Sequence, residues 1–221
     1  MATTGPLHQV DTPYEVATLG MGCYWGSDSL FGATKGILRT RVGYAGGTTG
    51  APQGKNIGDN VEVIELHYDP SVISYSKLLD IFWKNHEYLA SARLKREYMS
   101  MIMYHSEDQR KLAEESKITQ QKKETDDQIV TEIVPSSEFY PAQDHNQKYR
   151  LQGHVDLAKT LNLTTDLLQT SHVAARLNGF LGGAGSLEQF ELESQHLNLS
   201  PEQIQYVKNF LIENPDMGIS C

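Results

Sequence analysis

The sequence predicts an α+β fold: a two-layer, mixed β-sheet core flanked by helices and followed by an all-helical C-terminal extension. Three observations predict it. Apolar segments of strand length recur at residues 14–21, 37–44, 61–68, 99–104 and 129–134, and period-2 alternation marks a half-buried strand. Segments with helical spacing lie between them, at residues 23–33, 74–86 and 106–123. After about Leu151 the strand pattern stops, and helical patterns follow at 153–163, 171–180, 186–197 and 200–213.

Each element has a local reason. Residues 1–13 read as a flexible tail, without the basic start and apolar centre of a signal peptide. The run YEVATLGM (14–21) is a strand that Gly22 breaks, and 23–33 is a helix carrying Trp25, Leu30 and Phe31. Gly36 ends that helix and 37–44 alternates as a strand. Residues 45–60 are Gly-rich and apolar-poor, a loop of a length that is usually functional or mobile. VEVIELHY (61–68) is the next strand, closed by Asp69-Pro70, and Ser74 is placed to N-cap the helix after it. A short strand at 99–104 precedes a charged helix that Ser106 opens and that runs to about Lys123; 129–134 is another strand, and 142–150 reads as a helix. In the extension, Pro201 after Ser200 suits a helix start. The expected organisation is a tail at 1–13, a catalytic core at 14–152 and a helical extension at 153–221.

Composition narrows the class. The chain has 221 residues and 39% hydrophobic content, enough for a packed core with an extension. Its net charge of −9, from 28 acidic and 19 basic residues, argues against nucleic acid and anionic membranes as partners. No apolar run approaches the roughly 20 residues a bilayer crossing needs. The 8 histidines are scattered and neither cysteine has a ligand-spaced neighbour, so no metal or other cofactor is expected. The 2 cysteines, Cys23 and Cys221, are too few for a disulfide scaffold. A cytoplasmic location is the expectation, and there a remote pair is redox-active more often than structural.

Cys23 lies in Gly22-Cys23-Tyr24-Trp25-Gly26, at a strand-to-helix junction. The thiolate is the nucleophilic form of cysteine, and a helix N-terminus favours the anion. The residues alone leave two readings open, a reactive thiol or a buried structural one. Further blocks accompany the motif: Val42-Gly43-Tyr44-Ala45-Gly46-Gly47, Glu62 before Tyr68-Asp69-Pro70, Leu78-Leu79 with Phe82-Trp83 and His86, and Phe139-Tyr140-Pro141-Ala142. With them the sequence resembles the methionine sulfoxide reductase A family from about Tyr14 to Tyr149. The helical tail and terminal cysteine resemble an animal branch of that family.

The resemblance implies a thiol-dependent reductase of methionine S-sulfoxide, free or in proteins, acting as a monomer without a bound cofactor. Cys23 would attack the sulfoxide sulfur, Glu62 would protonate the departing oxygen, and Cys23 would become a sulfenic acid. Cys221 would condense with it to a disulfide, which thioredoxin or another dithiol would reduce. Tyr24 and Trp25 would cage the S-methyl group, and Tyr98 would hydrogen-bond the sulfoxide oxygen. Apart from the resemblance, Glu62 reads more readily as a surface strand residue and Trp25 as core, and an idle thiol is an open reading of Cys221.

The chain departs from the family pattern around these residues. Gly58-Asp59-Asn60-Val61-Glu62 lacks the histidine and threonine of the animal branch; Gly54 falls where the family carries a tyrosine. Gln-Tyr becomes Glu97-Tyr98, Gln143 and Asn146 replace a glutamate and a histidine, and an aspartate before Tyr98 has no counterpart. Two consequences are open: a slower reductase with a looser pocket, or a Cys23/Glu62 pair turned to another small molecule, which an enlarged pocket at Gly54 favours. A catalytically silent sulfoxide-binding module is a third reading, against which the joint presence of Cys23, Glu62 and Cys221 argues.

Overall fold

A computed structural model of the chain describes residues 5–220. The strands are β1 (Glu15–Met21), β2 (Ile37–Ala45), β3 (Val61–Tyr68), β4 (Ser100–Tyr104), β5 (Glu132–Pro135) and β6 (Tyr140–Pro141). They form one six-stranded mixed sheet in the order β5-β4-β1-β3-β2-β6. Every pairing is antiparallel except the parallel pair β4–β5.

Register decides which side chains meet. Leu19 lies opposite Ile64 on one side and Ile102 on the other. With Ala17, Val42 and Leu66 these residues share a core with α1 (Tyr24–Gly32), α2 (Tyr75–Lys84) and α3 (Glu107–Gln121). Successive side chains of a strand point to opposite faces, so the intervening Val61 and Val63 form a separate, smaller cluster with Ala45, Met101 and Met103. The result is the predicted two-layer α+β core. The N-caps of α2 and α3 are the predicted serines: Ser74 and Ser106 accept from the backbone N–H of Lys77 and Gln109.

Three local expectations need correction. The strand expected at 129–134 begins only at Glu132; before it, Ile129 bridges Leu89 and donates its N–H to the Gln121 side chain at 2.8 Å. The helix expected at 142–150 is a 3-10 turn (Asp144–Asn146), a break and then α4 (Tyr149–Gly153). The break has a long-range cause. The Gln147 amide pairs with both backbone groups of Val42, donating to O at 2.7 Å and accepting from N at 2.9 Å, while Lys148 takes a φ of 51° and sends its ammonium to Thr40 O at 2.6 Å. The tail is tied down at residues 7 and 8: their carbonyls accept from Val173 and His172, and Leu7 N–H donates to Leu197 O.

The extension contains α5 (Val155–Thr160), α6 (Thr165–Thr170), α7 (His172–Leu181), α8 (Leu187–Ser194) and α9 (Pro201–Glu213). Only α6 was not legible in the pattern. These helices enclose their own core, with Leu161, Val173, Leu177, Phe180, Phe190 and Val207 fully or nearly fully buried. They are also bolted to the α+β core. α7 crosses α1 at Gly32 and Gly179, where a Cβ on Gly179 would lie 2.1 Å from the Ala33 nitrogen. Arg176 of α7, itself buried, donates to the Thr34 and Ala33 carbonyls at 2.5 and 2.9 Å and pairs with Glu193 at 2.5 Å. It thereby satisfies carbonyls that the end of α1 leaves without helical partners.

Candidate active site

The site is built where β1 hands over to α1. Gly22, at φ +79°, makes the turn, a conformation that an L side chain rarely adopts. Cys23 follows as the N-cap of α1 and is half-buried. The first amide of the helix, Tyr24 N–H, donates to Glu62 Oε2 at 3.0 Å. Glu62 reaches it because β3 alternates: Glu62, Ile64 and Leu66 share the helix-covered face, and Glu62 lies directly opposite Tyr44.

This neighbourhood is hostile to charge. Burial pushes the Glu62 carboxyl up to about 7; the Tyr24 amide pulls it down, and negative charge at Cys23 and Glu97 raises it further. Burial wins because removing water from a carboxylate outweighs a single N–H donor. The buried Tyr24 shares a 2.9 Å hydroxyl–hydroxyl hydrogen bond with Tyr44, and burial raises both phenols above their ordinary range. Trp25 stacks on Tyr149 of α4 with ring centroids 3.9 Å apart and planes 7° from parallel. Tyr98 ends the 3-10 turn Arg96–Tyr98, which packs against β3 and is half-buried. Thus Cys23, Tyr24, Glu62, Trp25 and Tyr98 all lie around the start of α1 and β3. Cys221 lies outside the described residues.

Sequence reasoning missed three contributors. Tyr44 was legible only as part of its glycine-rich block. Tyr149 stands at the far edge of the resemblance. Arg96 gave no signal, because its partners are remote: it donates to Asp59 O at 2.8 Å, Gly46 O at 3.2 Å and Glu132 at 2.6 Å. It clamps the 3-10 turn bearing Tyr98 to the loop that leads into Glu62.

The departing residues have visible structural roles. Asn60 is buried and accepts from Gly47 N–H while donating to the Gly50 and Ile57 carbonyls. Asp59 accepts from the amides and hydroxyls of Thr48 and Thr49, and those hydroxyls hold its carboxyl below the usual range. Together they fold residues 46–60 back on themselves. Gly54 lies at positive φ between the bridged Gln53 and Asn56, facing open space. Gln143 is exposed and N-caps the turn containing Asn146.

A cavity of about 250 Å³ opens beside Cys23. Among the described residues it is lined by Met21, Cys23, Gly26, Ser27, Leu30, Asn85, Ile219 and Ser220, and by neither Glu62 nor Tyr98. Cys23 therefore has a proton-bearing acid on one side and the C-terminal segment on another. Among the described residues no group of three His, Cys, Asp or Glu could hold a metal, and no helix is long and apolar enough to cross a membrane. The arrangement suits attack by sulfur on an electrophile whose leaving oxygen takes a proton from the carboxyl.

Comparison with known proteins bears on this chemistry. A family model described as peptide methionine sulfoxide reductase matches residues 15–175, and one described as the helical domain of selenoprotein methionine sulfoxide reductase A matches residues 162–213. The peptide methionine sulfoxide reductase of Drosophila melanogaster is 50% identical over 216 residues, covering 98% of this chain and 88% of that protein. Peptide methionine sulfoxide reductase A5 of Oryza sativa subsp. japonica is 36% identical, covering 75% of this chain and 67% of its own. Among solved structures, methionine sulfoxide reductase A of Corynebacterium diphtheriae superposes with a TM-score of 0.56 at 26% identity, covering 69% of this chain and 83% of that one. Reduced Mxr1 from Saccharomyces cerevisiae superposes with a TM-score of 0.54 at 25% identity, covering 64% and 86%.

Proposed function

The chain belongs to the peptide methionine sulfoxide reductase family, and from that premise we propose that it reduces the S epimer of methionine sulfoxide, free or in proteins, through Cys23. The carrying observation is the Glu62 carboxyl, hydrogen-bonded to the first amide of the helix that Cys23 caps and raised by burial to about 7. The Cys23 thiolate attacks the sulfoxide sulfur. Glu62 gives its proton to the oxygen, the hydroxyl passes to the Cys23 sulfur as the substrate S–O bond and the transient bond between the two sulfurs break, and Cys23 is left as a sulfenic acid. Methionine is released and Glu62 is left as carboxylate. General acid assistance of this kind contributes about 10²–10⁴-fold.

Tyr98 orients the sulfoxide oxygen in this reading, and Tyr24 and Trp25 bound the apolar site for the S-methyl group, with Tyr149 backing Trp25. The Cys221 thiol then attacks the sulfenic sulfur, forming a disulfide and expelling water. Thioredoxin or another dithiol regenerates both thiols by exchange. Ile219 and Ser220 at the Cys23 cavity support this assignment. The chain acts in the cytoplasm, as a monomer. Asn60 and Asp59, bonded into the loop before β3, favour a reductase with a rebuilt scaffold over a redirected one.

The deciding test is a single turnover. Fully reduced chain mixed with racemic N-acetyl-methionine sulfoxide yields one methionine per chain and loses two thiols. Cys23→Ser abolishes product, and Cys221→Ser loses thioredoxin-supported cycling while turning over with dithiothreitol. No product with both thiols intact overturns the reading.

A further inference from the structure

Beyond α9 the chain does not trail away. Asn214 caps the helix, its N–H and side-chain amide both donating to Phe210 O. The chain then runs back toward Cys23 along a marked path. Met217 joins Tyr149, Arg150, Leu181 and Phe210 in lining a groove between α4 and the extension. Gly218 passes so close to Gly183, just beyond α7, that a Cβ there would lie 2.4 Å from the Gly218 carbonyl oxygen. Arg150 Nη2 donates to Ser220 O at 2.5 Å and to Ser220 Oγ at 3.0 Å. Ile219 and Ser220 end the path on the wall of the Cys23 cavity.

From this path we infer that Arg150 and Gly183 form a dock that seats residues 217–220 beside Cys23, which makes Arg150 a positioning residue for the step that closes the Cys23–Cys221 disulfide. The inference rests on the assignment of Cys221 as the resolving thiol. Arg150 acts on the segment that delivers the second reactant, not on the sulfoxide. In the step itself the Cys221 sulfur bonds to the Cys23 sulfur, the S–OH bond breaks, and the hydroxyl leaves as water with the thiol's proton. A docked segment raises the local concentration of that thiol and removes the orientational entropy of finding its partner. The arginine fork suits the task because one planar group reaches two oxygens of a single residue.

The test separates two phases in the full chain. Reduced protein receives a pulse of N-acetyl-methionine sulfoxide; methionine release reports the first phase and loss of the second thiol reports disulfide closure. Arg150→Ala slows the second phase about tenfold and leaves the first within about twofold. Arg150→Lys, which keeps one donor, recovers part of the loss. Gly183→Ala, on a different element, displaces the segment and gives the same selective slowing. An unchanged second phase in both Arg150→Ala and Gly183→Ala overturns the dock while leaving Cys221 as the resolving thiol. Equal slowing of both phases also overturns it, since that marks a general disturbance of the fold. Loss of only one thiol in the unaltered chain overturns the Cys221 assignment, and the dock with it.

Discussion

Glu62 keeps its proton at a pH where most carboxyls have lost theirs, and the reason is local. Its strand register aims it under the buried start of α1, where the hydrogen bond from the Tyr24 amide does not offset the cost of desolvation. In the proposed mechanism the Cys23 reaction takes that proton, so the single-turnover rate is expected to fall as pH rises through about 7. Glu62→Gln removes that limb and lowers the rate by about 10²–10⁴-fold; rapid-quench measurements across the pH range check both. Stability follows the same sign. A carboxyl raised from 4.5 to about 7 on folding stabilises the fold at low pH, and the contribution is lost as pH rises between those values. Denaturant midpoints of Glu62→Gln accordingly fall less over that window. At this scale the sequence told most through Cys23 and Glu62, because the family pattern carries them as side chains at fixed spacing. Arg96 was silent because it binds backbone oxygens of two distant segments, which leave no mark in the composition of either.

Among the elements, α1 is held at both ends. Glu62 takes its first amide, and Arg176 takes carbonyls at its close. Arg176→Met removes those donors and strands Glu193 beside the gap, at a cost of about 3 kcal/mol. Gly179→Ala forces the α1–α7 crossing apart and costs about 1–3 kcal/mol. Urea midpoints measure both. A second tie joins α2 to the sheet. His86 Nδ1 donates to Phe82 O at 2.7 Å, so its Nε2 accepts from Ser100 Oγ, also at 2.7 Å, and Ser100 takes a hydrogen bond from Thr131. Burial pushes the imidazole down to about 4. Because the neutral ring is favoured on folding, this tie stabilises above the ordinary histidine value of 6.5 and is lost as pH falls through about 4; an NMR titration of the ring shows the midpoint. Elements set by local chemistry, such as the serine-capped α2 and α3, were legible residue by residue. The break at Gln147 and Lys148 was not, since its cause is the backbone of Val42 and Thr40 more than a hundred residues earlier.

For the whole molecule, the extension keeps a core of its own yet is tied to the rest of the chain. Residues 7 and 8 pair with residues on α7 and beyond α8, α7 crosses α1, and Arg176 spans both parts. Calorimetry therefore shows one cooperative transition; two resolved transitions would show that core and extension fold independently. The change of pattern near Leu151 coincides with strands giving way to helices. Beneath α1, in the middle of this joined structure, lies the ion pair of Lys148 and Asp28, both almost wholly out of contact with solvent. Among the described residues Lys148 is the one buried lysine. Its amine is therefore silent to acylating reagents, while the other described lysines are exposed or partly exposed. Labelling at Lys148 becomes a clock for how often α1 lifts from the sheet, read by mass spectrometry without touching either sulfur.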